Sequence, residues 1–397
     1  MNSSKKIYQE NSYLTDLKAK VLNCNKTNDT YEVILDNTIF YPHMSGGQPK
    51  DEGTLNGLKV LNVIENNDEI IHYISEPVSG IVNLSVDFVT RFDYMQQHTG
   101  QHILSCAFDD VYNAKTVGFH LSSDYTTIDL DISLTEDMIK NAELYANSII
   151  YENPTVTART LPYDEAISLN LRKPPLKLDY LRIIEIQDRD LIACSGTHVK
   201  SAGEVGIIKI VKSEKYKTGT RLEFLCGKRA LKDYILKNDD INRLSALLTC
   251  RSDMIYDNLD KIITENKDLK RNIINLKNKI NDYIVKDLKE SAEIINDIHF
   301  LFQQLDDVDP KDLRFISSKA VEDKNFIAVL ISESDGLCSV CLAQSENLNY
   351  DLKYIFESCK VKLNLKGGGN NRLMQGTGDI LDKNNECLKV VKELLIK

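Results

Sequence analysis

The sequence predicts an α+β protein in four successive parts. These are a small N-terminal β-barrel (1–86), an α+β domain able to hold zinc (87–235), a helical coiled-coil segment (236–292) and a C-terminal α/β domain (293–397). Three observations predict this. Before residue 86, short β-branched or alternating runs are bounded by Asn, Asp and Gly. From Asp87 on, helical and strand patterns are segregated rather than strictly alternating. Between 240 and 290, apolar residues recur three and four apart with no glycine or proline.

In the first part, Leu17–Leu22, Tyr31–Leu35, Leu58–Glu65 and Ile70–Ile74 read as strands. Between them lies Phe40-Tyr-Pro-His-Met-Ser-Gly-Gly-Gln48-Pro, where Gly46 and Gly47 permit positive φ or close backbone approach. In the second part, Met95, His98, His102, Leu104, Ser105 and Phe108 fall at helical spacing within Arg91–Val111. Strands are expected at Thr116–His120 and Tyr125–Leu130. A helix starts at Thr135, with Asp137 close behind, and ends before Pro154. Residues 155–230 read as strands with one short helix after Pro162.

The third part carries a heptad seam of Leu259, Ile262, Asn266, Leu269, Ile273, Leu276, Ile280 and Tyr283. A long helix pairing with another chain, or with a helix of this one, is expected. In the fourth part, strands at Phe326–Ile331 and Val340–Gln344 precede a helix at Leu352–Leu363 and a final helix at Leu388–Ile396. Cys338-Ser-Val-Cys341 has redox spacing but no thioredoxin-like context, so strand packing is the expectation. Gly367-Gly-Gly369 lacks the Gly-Lys-Ser/Thr of a phosphate-binding loop.

Composition narrows the function classes. A 42% hydrophobic and 27% charged chain can build an ordinary globular core. The polar N-terminus has no apolar signal region and no apolar run approaches a membrane span, so a cytoplasmic protein without a membrane partner is expected. Nine cysteines, irregularly spaced, argue against a disulfide framework and leave metal or catalytic roles open. A net charge of −10 argues against nucleic acid only on average, since a local basic face can still bind. Two such segments exist: Arg172-Lys173-Pro-Pro-Leu-Lys177, and the run of Lys209, Lys212, Lys215, Lys217, Arg221, Lys228 and Arg229.

The chemistry concentrates in two short motifs. His98-Thr-Gly-Gln-His102 puts two imidazoles one helical turn apart on one face, able to chelate one ion. Cys194-Ser-Gly-Thr-His198 adds a thiolate and an imidazole, with Gly196 allowing a sharp loop. Sulfur plus imidazole suits a tetrahedral zinc, one per chain. Three of the seven histidines fall in these motifs. No glutamate stands inside the histidine pair, so this is not the H-E-x-x-H of metalloproteases.

Arg91, Met95-Gln-Gln-His98-Thr-Gly-Gln-His102-Ile-Leu-Ser and Cys194-Ser-Gly-Thr-His198 resemble the editing domain of alanyl-tRNA synthetase. They most resemble its free-standing relatives, the alanyl-tRNA editing proteins of the long AlaX type. The loop ending in Ser45-Gly-Gly-Gln48 is similar to the family's barrel motif, although Met44 stands where the family usually has an acidic residue. Gly118-Phe-His120-Leu, followed by Thr127-Ile-Asp129-Leu, also resembles the long type, and the tail resembles the DHH-associated domain that ends the synthetase.

The resemblance implies a zinc-dependent deacylase acting on tRNA(Ala) mischarged with serine or glycine. A small apolar pocket cannot strongly reject an added hydroxyl or a lost methyl, so a second, hydrolytic site is a physical solution. Zinc could activate water or polarise the ester carbonyl. Four protein ligands would close a tetrahedral site, so either His198 is a weak ligand or the ion expands its coordination. Thr99 and Gln101 are the candidates for recognising serine, Gln48 for closing the pocket, and His120 for general acid or base. In the resemblance, Lys366 and Arg372 flank a segment tied to tRNA contact and association, which together with the 255–290 helix makes a homodimer possible. The competing reading is a nonenzymatic tRNA-binding or assembly protein whose zinc is structural.

Overall fold

The computed structural model describes residues 4–43, 45–334, 336–379 and 384–396; Met44 lies outside them. The chain is a mixed α+β protein with two compact units, Met1–Leu244 and Ser245–Lys397. No helix among the described residues is long and apolar enough to cross a membrane.

The first unit begins with a one-turn helix, α1 (Ile7–Glu10), and a curled seven-stranded sheet. Its strands are β1 (Asp16–Thr27), β2 (Thr30–Leu35), β3 (Gly53–Leu55), β4 (Leu58–Lys59), β5 (Asn62–Asn66), β6 (Glu69–Ile74) and β7 (Ile81–Val86). They lie in the order β4-β3-β7-β1-β2-β6-β5. β1 pairs with β7 along its first half and with β2 along its second, with a register shift between Val21 and Asn23. Such a bulge bends a strand and increases its twist, which curls this sheet. In β6 and β7 every second residue is buried, the period-two pattern of a strand with one face on the core. The run expected as one strand over Leu58–Glu65 is two, because Val60 N bonds Gly53 O while Leu61 N bonds Tyr73 O on the other side.

Helix α2 (Phe88–Tyr112) runs through the middle of the unit, and every residue from Tyr94 to Phe108 is buried. It starts three residues before the expected Arg91 because the Asp87 carboxylate accepts from Val89 N at 2.9 Å, an N-cap. Asn113, with φ 53°, ends it. Helix α3 (Glu136–Glu152), capped by Thr135, packs on α2. A four-stranded antiparallel sheet contains β8 (Thr116–Leu121), β9 (Thr126–Leu130), β13 (Ile208–Tyr216) and β14 (Gly219–Cys226), in the order β8-β9-β14-β13. A three-stranded sheet holds β10 (Val156–Pro162), β11 (Tyr180–Ile186) and β12 (Asp190–Ala193), with the short helix α4 (Tyr163–Ile167) after Pro162.

The stretch expected as one long helix is interrupted. Helix α5 (Gly227–Leu248) stops at Thr249, whose φ of 50° is incompatible with helix, and α6 (Ile255–Glu290) restarts six residues on. In the second unit a six-stranded sheet is built from β15 (Glu293–Ile295), β16 (Ile298–Asp306), β17 (Phe326–Ser334), β18 (Leu337–Gln344), β19 (Lys366–Asn370) and β20 (Leu373–Asp379). The order is β15-β16-β17-β18-β20-β19. Helix α7 (Pro310–Ala320) is the crossover between parallel β16 and β17. Helices α8 (Leu352–Leu363) and α9 (Asn384–Ile396) pack together. Cys338 and Cys341 belong to different core clusters, because an odd spacing on β18 sends them to opposite faces of the sheet. That geometry accounts for their spacing without redox chemistry.

Candidate metal centre

Two segments meet at the cluster. His98 and His102 project from α2 one turn apart, with rings 5.3 Å apart and nearly parallel. Cys194 and His198 lie in the loop that follows β12. The donor atoms of all four lie within 4.8 Å of one another. Cys194 Sγ is 3.4 Å from His98 Nε2 and 3.4 Å from His198 Nε2.

Neighbouring polar groups orient two of the imidazoles. Gln48 is fully buried, and its Oε1 lies 3.0 Å from His98 Nδ1. An amide oxygen only accepts, so Nδ1 donates there and Nε2 is turned toward Cys194. The same Oε1 accepts from Thr197 N at 3.2 Å, and Gln48 Nε2 donates to Thr197 Oγ1 at 2.9 Å. Gln48 thus ties the glycine loop to both metal motifs. Thr99 Oγ1 accepts from Val199 N and sits 3.2 Å from His198 Nδ1, which leaves His198 Nε2 facing the cluster. His102 Nδ1 is 3.8 Å from Asp190 Oδ2, and Asp190 is clamped by Arg172 through two hydrogen bonds of 2.8 and 3.1 Å. Arg172, in a basic segment of the sequence, is therefore drawn inward as part of the site's support.

The glycines are required by close approach. A Cβ on Gly196 would stand 2.1 Å from His98 Cε1, although Gly196 has no positive φ. The expected sharp loop is thus a contact requirement rather than a backbone one. Gly46 does have positive φ, 64°, and a Cβ there would meet Ser195 Oγ at 2.6 Å. The curled sheet and the cysteine loop are in direct contact at that point.

A buried arginine, Arg91, and a partly buried one, Arg182, hold this arrangement. Arg91 on α2 donates Nε to Asp51 Oδ1 at 2.7 Å and pairs through Nη2 with Asp51 Oδ2. It also donates to the carbonyls of Ser12 and Ile39. A buried pair of this kind is fully hydrogen-bonded, and removing one partner costs about 3–5 kcal/mol. Arg182 on β11 has no carboxylate partner among the described residues and donates instead to Cys194 O at 3.0 Å, Gly196 O at 2.8 Å and Gln9 O at 3.3 Å.

The electrostatics suit a cation. Burial, followed by the charge of Arg172, pushes His102 down to about 3. Burial, followed by neighbouring histidines, holds His98 and His198 well below the usual imidazole range. All three are neutral at pH 7, with lone pairs available. Burial raises the Cys194 thiol, opposed by the Gly196 N–H and by Arg182. Among the described residues, neither ring nitrogen of buried His102 has a hydrogen-bond partner. Buried polar atoms are rarely left so, and a coordinated metal ion would satisfy one of them. Three imidazoles and one thiol form a donor set that fits such an ion.

The other candidates lie differently. Gln101 Nε2 donates to Ser105 Oγ at 2.8 Å, which in turn accepts from Thr116 Oγ1. His120 is exposed, 5.7 Å from the Tyr125 ring, while its neighbour Phe119 packs 5.2 Å from His98. Alternation along β8 turns His120 to the face opposite Phe119. Asp51, Arg182, Asp190 and Thr197 were not singled out from sequence. Each acts through partners in distant segments, and no local spacing signals that.

A family model described as the threonyl and alanyl tRNA synthetase second additional domain matches residues 181–223, which contain Cys194 and His198. The first unit thus carries a domain of the class appended to those synthetases. Over 94% of its length the chain is 33% identical to the alanyl-tRNA editing protein AlaX-L of Pyrococcus horikoshii, covering 94% of that protein. It is 28% identical to the alanine–tRNA ligase of Pyrococcus furiosus over 97% of this chain and 43% of the ligase. It is 32% identical to the alanyl-tRNA editing protein Aarsd1 of Bos taurus over 66% of this chain and 61% of that one. The chain belongs to the alanyl-tRNA editing protein family.

Proposed function

We propose that this protein is a trans-editing hydrolase, a free-standing deacylase that removes serine, and glycine, from mischarged tRNA(Ala). One observation carries the reading. The four-residue cluster of His98, His102, Cys194 and His198 lies in a chain that aligns end to end with an alanyl-tRNA editing protein. In the reaction, a water oxygen bonds to the ester carbonyl carbon and the bond to the ribose oxygen breaks. Free amino acid and the tRNA 3′-hydroxyl leave.

The four residues would hold one zinc ion, which supplies Lewis-acid activation of the water or the ester. The chain's own residues set the site. Gln48 and Thr99 act as positioning residues for His98 and His198, while Asp190, held by Arg172, stands 3.8 Å from His102 Nδ1. Thr99 is committed to His198 and the Gln101 Nε2 to Ser105, so the Gln101 Oε1 is the candidate for reading the serine hydroxyl. His120, exposed on the other face of β8, is better placed to meet substrate outside the cluster than to move a proton within it. Of the four cluster residues His198 alone lines the cavity past Tyr13, which supports its being the ligand approached from solvent.

The finer organisation belongs to the same reading. Residues 1–86 form the barrel part, 87–235 the editing domain, 236–292 the helical segment and 293–397 a DHH-associated-like domain. The exposed stripe of α6, with Leu269, Ile273, Leu276 and Ile280 each more than half exposed, supports a homodimer through that helix and the C-terminal domain. A role in translation fidelity fits the cytoplasm.

A second reading has one observation in its favour: four protein donors can close a tetrahedral zinc, as structural sites do. In that case the chain would bind or assemble tRNA without hydrolysing it. The two are separated by measuring zinc per chain and timing deacylation of Ser-, Gly- and Ala-tRNA(Ala) by wild type and Cys194→Ala. The enzyme reading expects one zinc, loss of serine and glycine esters, and no loss in Cys194→Ala. Zinc-loaded protein that hydrolyses none of the esters would sink it.

A further inference from the structure

A groove runs along the first unit to His198. One cavity of about 600 Å³ lies between the Ser4–Glu10 segment and β10, and a smaller one of about 120 Å³ continues inward past Tyr13. They share Gln9, Glu10, Ala158 and Arg182, so they form one continuous path. The inner cavity is floored by His198, Val199 and Lys200. A volume of this size is that of a small-molecule site.

The lining is cationic on an acidic protein. Lys6, Arg159, Arg182 and Lys200 line the groove together with Glu10 and Asp68, whereas the whole chain carries −10. Lys6 is paired with Glu65 and Asp68, and Arg159 with Glu185 at 3.5 Å, so these three ion pairs offset both charges. Arg182 is different. Among the described residues its donors reach only backbone carbonyls and no carboxylate pairs with it where the groove narrows toward His198. Such a charge favours an anion, and phosphates are what lysine and arginine along a groove position.

We propose that this groove holds the 3′-terminal nucleotide of the aminoacylated RNA, its phosphate drawn toward Arg182 and its aminoacyl ester toward His198. The inference rests on the proposed deacylation. It adds which face the substrate approaches from and which residues, outside the metal cluster, set its affinity.

The chain has no tryptophan, so one introduced on the groove wall is a unique fluorophore. Thr160 and Ala158 are exposed on β10, where a larger side chain leaves the core untouched. With Thr160→Trp, 5′-AMP is expected to quench the fluorescence saturably. Inorganic phosphate alone should do so only at much higher concentration. With Ala158→Trp, which fills the path, KM for Ser-tRNA(Ala) should rise at least tenfold while zinc content and unfolding temperature match wild type. An AMP response that never saturates, or an Ala158→Trp enzyme with wild-type KM, overturns the groove. If wild type fails to hydrolyse any ester yet AMP quenches saturably, the deacylase reading falls and the nucleotide site stands.

Discussion

Gly196 shows how a residue's role can differ from the one its type suggests. Its backbone is ordinary, and the absence of a side chain is needed only because His98 fills that space. Gly196→Ala should therefore displace His98 and lower zinc occupancy at limiting metal by about tenfold or more, a loss of roughly 1.4 kcal/mol in affinity. Competition with a chromogenic chelator measures this; unchanged affinity would mean that the loop yields freely. Thr99 and Gln101 separate in the same spirit. Thr99→Val should lower kcat and zinc affinity while the Ser-to-Ala ratio of kcat/KM holds, since the hydroxyl meets His198 rather than open space. Gln101→Leu should reduce that ratio instead. The reverse pattern in steady-state kinetics would return serine recognition to Thr99. The four cluster residues were legible because they sit in two motifs of five residues each. Their supports were not. Gln48 lies 50 residues from His98 and 149 from Thr197, a distance no local pattern can signal.

At the scale of elements, the heptad seam was readable and its neighbours less so. The apolar repeat from Leu259 to Tyr283 lies along α6, and its side chains are exposed. The later part of the same helix, with Ile284, Val285 and Leu288, packs into the core of the second unit, and Asn281 donates to Asp312 at 3.0 Å. The break at Thr249 was invisible to periodicity, because neither glycine nor proline marks it. The strand β3, three residues long, was equally too short to show a pattern. Burying each Leu or Ile of the stripe is worth about 1.5–3 kcal/mol. Replacing Leu269 and Ile273 together by Glu should therefore turn a sedimenting dimer into monomers at micromolar concentration. Wild type that sediments as a monomer would remove the homodimer.

For the molecule as a whole, pH is a lever on the curled sheet. His72 is wholly buried, hydrogen-bonded to Thr38 Oγ1 and to Val33 O, and burial pushes it down to about 4. Between the ordinary histidine value of ~6.5 and that of the folded state, the unfolded chain carries a proton that the folded chain does not. Stability consequently rises with pH through that window, and the loss on acidification from pH 7 to 4 amounts to roughly 3 kcal/mol. His72→Gln should flatten the slope of unfolding free energy against pH in urea titrations. Parallel slopes for variant and wild type would show that His72 does not set it. The α+β class was legible from composition and patterning. How the curled sheet meets the central helix was not, because it depends on Arg91 and Asp51 finding each other across 40 residues.

Hydrolysis of a mischarged ester at the cluster is the proposed activity. The most direct test is the single-turnover rate of Ser-tRNA(Ala) deacylation by zinc-loaded wild type beside that of correctly charged Ala-tRNA(Ala). Rapid loss of the serine ester, little loss of the alanine ester, and abolition of both by Cys194→Ala are expected. Equal, background rates for the two esters with one zinc bound per chain would contradict it.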